Sequence, residues 1–315
     1  MAQFPSTSSA SGIWSLTDVR NSLMGSNWPA MPSPGNTAAW FAGGNPAPFS
    51  TVDRITFATD TATATTRGPL SSGRTYLAAA GNTTDGWFGG GTGAFSTVER
   101  ITYASDTAAT STRGPLSLAR QGLAAAGNST DAWFGGGTYP GMSTVDRITY
   151  ATDTATASAR GPLSLARTSI AAAGNSDYGW WGGGYAMYST VDRITYATDT
   201  ATASVRGPLG VGRRGMSAAG NSTDGWFAGG HYPDFSTVSR ITYATDTATA
   251  STRGPLSLAR AGSAAGGNST DGWFAAGYIY SIVERITYAT DTTTASVRGP
   301  LSLARYQLAA AAGVQ

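Results

Sequence analysis

Few side chains in these 315 residues are equipped for chemistry, and their types narrow the options at once. The chain has one histidine, His231, and no cysteine. A serine triad would have to run through His231, and no Gly-x-Ser-x-Gly elbow supports one. Lack of cysteine removes thiolate metal sites, disulfides and cysteine nucleophiles. A glycosidase needs two unlike carboxylates roughly 5–9.5 Å apart. Over residues 36–315 only Asp234 is an acid outside a repeated position, so a pair would have to borrow a repeated acid. The Gly-Gly pairs follow one strand and lead into another instead of opening a helix, which argues against a phosphate cradle. No catalytic residue, metal site or cofactor is expected, and the chain reads as a non-enzyme.

The other charges keep a strict rhythm. Every one of the 20 basic residues is arginine, and 18 of them occupy three slots. One slot is Val-x-Arg-Ile-Thr, at Arg54, Arg100, Arg147, Arg193, Arg240 and Arg285. The next is Arg-Gly-Pro-Leu, beginning at Arg67, Arg113, Arg160, Arg206, Arg253 and Arg298. The third lies seven residues later, from Arg74 to Arg305. Likewise 16 of the 18 acids recur, leaving Asp18 and Asp234. Active sites gather unlike groups at one place, so charges copied in every repeat predict turn caps and ion pairs between repeats. With 12% charged residues and a net charge of +2, no basic patch for nucleic acid is expected. No apolar run is long enough to span a membrane and no signal-peptide pattern opens the chain, so membrane insertion is not expected.

What must position these residues is a repeat of six copies, with Arg-Gly-Pro-Leu spaced by 46, 47, 46, 47 and 45 residues. A tryptophan keeps the same step at Trp40, Trp87, Trp133, Trp180, Trp226 and Trp273. In residues 118–162 a small-residue strand ends at the Gly127–Asp131 turn, and Ala132-Trp133-Phe134 starts a second strand. Ser143–Ala151 reads as a third and Thr154–Ala159 as a polar fourth, before Gly161-Pro162 breaks the chain. Four short antiparallel strands in about 46 residues make a propeller blade. The first copy lacks its small-residue strand, and the last leaves Leu308–Ala312 unused. Pairing that segment beside Ala39–Phe41 closes a ring and removes both sheet edges. The predicted fold is therefore all-β: a six-bladed propeller over 36–315, preceded by an N-terminal extension over 1–35.

Leu-Ala-Arg, a small-residue strand, a turn, an aromatic pair, Gly-Gly, then Val-Asp-Arg-Ile-Thr-Tyr resembles the kelch repeat, although the kelch tryptophan of the fourth strand is missing. The Gly-x-Trp-x-Leu stretch near Trp14 and Leu16, followed by Asn27-Trp28-Pro29, resembles the leader of tailed-bacteriophage virion proteins. That resemblance implies a structural virion protein (a tail fibre, tail-associated or surface protein) localised to the particle. Residues 1–35, through Trp14, Leu16, Val19 and Trp28, would attach it to other virion proteins. The alternative is a cellular kelch-like module, cytoplasmic or extracellular in a bacterium, that binds protein or glycan.

Differences between copies locate the expected binding face. They concentrate after the Gly-Gly stop and just after the third arginine, two places that open on the same side of an up-and-down blade. Tyr139, Tyr185, Tyr188, His231, Tyr232, Phe235, Tyr278 and Tyr280 are the recognition residues expected there. A host-surface glycan or protein, a neighbouring subunit, the protein's own N-terminal segment or a second copy of the chain would suit such a face.

Overall fold

The computed structural model describes residues 37–93 and 95–313. Trp14, Leu16, Val19 and Trp28 therefore lie outside the described residues. The chain forms six four-stranded antiparallel sheets, and no α-helix occurs among the described residues. Strands are numbered in chain order. In the third blade they are β8 (Ala124–Gly127), β9 (Asp131–Gly135), β10 (Val145–Thr149) and β11 (Ser158–Arg160). The innermost strand of each blade is the small-residue one, touching its counterparts in both neighbouring blades. Alanine and glycine let six strands approach closely around one axis.

The ring closes as its repeat arithmetic requires. The final strand β24 (Ala309–Ala312) pairs antiparallel with β1 (Ala38–Ala42), aligning Ala39 with Ala312 and Ala42 with Ala309. It thus supplies the inner strand of the first blade. Arg305 reinforces the junction, reaching the Asp53 carboxylate at 3.0 Å.

The blades adhere through the repeated charges. Trp87 Nε1 and Arg100 Nη1 of the second blade donate to Asp153 Oδ2 of the third, at 2.9 and 3.2 Å. Tyr150 stacks on Trp87 with ring centroids 3.8 Å apart. Every interface repeats this latch, including the last, where Trp273 and Arg285 reach Asp60 and Phe57 replaces the tyrosine. Each core cluster joins two blades: Trp87 and Val98 pack with Phe134 and Ile148. The expected ion pairs and turn caps are both present. Asn128 Oδ1 accepts the Thr130 and Asp131 amides at 2.9 Å, so its sequence serves the hairpin turn.

The outer strand is shorter than expected, spanning Ser158–Arg160 instead of 154–159, and the third strand runs into a 3₁₀ turn at Tyr150–Thr152. The reason is competition for backbone donors. Ala157 N–H bonds the Pro115 carbonyl of the preceding blade at 2.8 Å, and Ala155 N–H closes a turn on Thr152. The same contact explains the glycine of Arg-Gly-Pro. A Cβ on Gly114 would sit 1.9 Å from the Ala155 carbonyl oxygen of the next blade.

Candidate functional site

At one mouth of the axis, the six linkers that enter the inner strands meet in a closed backbone circuit. Tyr76 N–H donates to Gln307 O, Gly122 to Tyr76, Ser169 to Gly122, Gly215 to Ser169, Gly262 to Gly215 and Gln307 to Gly262, over 2.6–2.9 Å. All six residues hold left-handed backbone, with φ from 56° to 70°. Glycine adopts this freely, while Tyr76, Ser169 and Gln307 are held there by the ring. Above it opens a cavity of about 290 Å³, near the lower end of the usual range for ligand clefts.

The side chains around this mouth form an aromatic arc. Tyr139 meets Tyr185 edge-on at 5.0 Å. The Arg214 guanidinium lies between Tyr185 and Tyr232, 4.7 and 4.4 Å from their ring centres. Tyr232 meets His231 at 4.1 Å, and His231 lies 5.7 Å from Tyr278. Tyr278 lies 6.3 Å from Tyr306. These side chains come from five blades, yet each touches the next. Backbone pairing of Arg214 with His231 brings the linker and the loop after the Gly-Gly stop together.

One polar cluster sits within the arc. Asp234 Oδ1 is 2.6 Å from His231 Nδ1 and accepts from the Tyr278 hydroxyl at 2.8 Å, while that hydroxyl also contacts His231 Nδ1. Loss of solvent first, and then Asp234, push the Tyr278 phenol well above the ordinary tyrosine range. Tyr278 therefore stays protonated and donates. With Nδ1 engaged, the His231 ring is oriented by its neighbours, leaving Nε2 for an outside partner. The arrangement can stack on a flat apolar ring face, donate from Arg214 and exchange hydrogen bonds with hydroxyls at His231 and Asp234. Among the described residues no group of three or more potential metal ligands occurs.

Tyr139, Tyr185, His231, Tyr232 and Tyr278 thus lie together, with Tyr139 and Tyr232 remaining 65% and 59% exposed. Tyr188, Phe235 and Tyr280 lie in the same loops after the Gly-Gly stop and also brace the backbone there. Their carbonyls accept the amides of Arg213, Arg260 and Arg305 at 3.3, 3.1 and 3.3 Å, a contact that Phe49, Phe95 and Met142 make in the other blades. Arg214, Tyr76 and Tyr306 join the mouth without having been singled out from sequence. Their signal was present: all three follow the third repeated arginine, and Arg214 is one of only two arginines outside the repeated slots.

No family model matches the chain, and no curated protein matches its sequence. The solved structure of YjhT is similar in fold, with a TM-score of 0.66 at 12% identity. The likeness covers 86% of this chain and 99% of that one. At such identity it carries the propeller architecture alone.

Proposed function

We propose that this chain is a non-enzymatic structural protein of a tailed-phage virion whose kelch-like propeller recognises a host-surface glycan at the aromatic mouth. One observation carries the recognition reading. Arg214, His231 and Asp234, which stand outside the repeated charge pattern of the propeller, meet at a single mouth among tyrosine rings. A scaffold alone gives no reason for three unlike polar residues of one repeat to meet the tyrosine rings of its neighbours there. Exposed tyrosines stack on sugar rings with little loss of rotamer freedom, and the polar cluster suits sugar hydroxyls. The virion setting rests on the leader resemblance in residues 1–35.

Two measurements test the two parts. Mass spectrometry of purified particles should detect the chain; its absence from every particle would leave the cellular glycan- or protein-binding module in place. Glycan-array binding of the full chain should be lost in Tyr232→Ala and Arg214→Ala. Retained binding in both variants would remove the mouth as the recognition site. Turnover of any glycan abolished by Asp234→Asn would replace recognition by catalysis.

A further inference from the structure

The linkers between blades share a buried ion pair, and one of them lacks its acid. In the third blade the Ser117 amide, the Ser117 hydroxyl and the Arg120 guanidinium converge on the Asp146 carboxylate at 3.1, 2.6 and 2.7 Å. Glu99, Asp192, Glu284 and Asp53 pair with Arg74, Arg167, Arg260 and Arg305 in four further blades. The fifth blade differs at both partner positions together. Ser239 stands where the others have an acid, and Gly210 stands where they have serine.

Arg213 is nevertheless fully buried. Its Nη2 donates to Ser239 Oγ and the Phe227 carbonyl at 3.0 and 2.9 Å, and its Nε contacts Met216 Sδ at 3.0 Å. Its Nη1 has no hydrogen-bond partner among the described residues. Arg260 Nη1 is also unpartnered, but that arginine keeps Glu284 at 2.7 Å. Arg213 has no carboxylate partner among the described residues. Burial pushes its guanidinium down to about 10, so at neutral pH it remains a cation in a poorly solvating place.

The two exchanges remove the carboxylate and one of its three donors, the serine hydroxyl, while keeping the arginine and the backbone amide. A Cβ on Gly210 would meet nothing closer than the Ala250 carbonyl at 3.7 Å, so no neighbour has moved in. Gly210 itself is exposed, which gives solvent ions a short path. We propose that the fifth blade binds a small monovalent anion, chloride, between the Arg213 guanidinium, the Ser239 hydroxyl and the Gly210 amide, as a replaceable substitute for the missing carboxylate. Chloride supplies one negative charge, accepts several hydrogen bonds and brings no proton of its own.

The test is thermal melting of the full chain in sodium chloride against sodium gluconate at matched ionic strength. Chloride should raise the Tm by about 2–4 °C per tenfold increase above its dissociation constant. Crystals soaked in bromide should show an anomalous peak beside Arg213. The double variant Gly210→Ser, Ser239→Asp restores the arrangement of the other blades. It should melt higher in gluconate and lose the chloride response. Equal melting of the original chain in both salts, a chloride response retained by the variant, or no bromide peak beside Arg213 would overturn the proposal.

Discussion

Arg214 shows how a single side chain can decide a surface. Held between Tyr185 and Tyr232, it links two rings that are otherwise braced separately by Tyr139 and His231. Removing Tyr232 or Arg214 should weaken ligand binding more than tenfold in titration calorimetry and shift the Tm by less than about 2 °C, because neither supports the blade core. A large fall in Tm with normal binding would make these groups packing elements. Tyr278 offers a pH test. Its folded-state pKa is raised by burial and then by Asp234, so its proton persists where an ordinary tyrosine, with a pKa of about 10, loses it. The Tyr278 contribution to ligand binding should therefore stay flat from pH 8 to pH 10; a loss centred near 10, absent in Tyr278→Phe, would contradict the upward shift. At this scale the sequence was partly legible. His231, Asp234 and Arg214 all fall outside the repeat, but only the first two lie in the loop after the Gly-Gly stop where aromatic residues drew attention. Tyr188, Phe235 and Tyr280 also carry a backbone contact common to all six blades, which the variable loop sequence does not announce.

Among the elements, the linkers carry the strongest constraints. Gly114→Ala forces a methyl group against the Ala155 carbonyl, 1.9 Å from its Cβ, and should cost about 2–3 kcal/mol in denaturant unfolding. Gly210→Ala faces open space and should cost less than about 0.5 kcal/mol, which makes it the matched control. Ser169, with φ of 57°, should gain about 0.5–1 kcal/mol on change to glycine as left-handed strain is relieved. Strand identity was readable from β-branched and aromatic runs between turn residues. Strand ends were less so, because Ala157 spends its amide on the neighbouring blade, a partner invisible to local pattern.

For the whole molecule, closure governs stability. Deleting residues 306–315 removes β24 and bares the edge of β1, while leaving Arg305 in place. The truncated chain should aggregate or melt far below the full protein, as judged by size-exclusion chromatography and calorimetry. A monomer with unchanged melting would show that the strand is dispensable. Blade number and closure were legible because the first copy lacks one strand and the last has one to spare. The latch geometry was not, since the sequence counts arginines and acids without saying that Trp87 and Arg100 share a single oxygen of Asp153.

The circuit of six amides at the mouth carries one more implication. Every donor and acceptor in it points along the rim in the same rotational sense, so the circle has no loose end to offer a visiting peptide and no gap through which to widen. The opening behaves as an iris fixed at one aperture. Guests must fit it as it stands, and selection among them falls to outline and the few side chains above the rim. Affinity should then drop abruptly, not gradually, as a guest outgrows that opening.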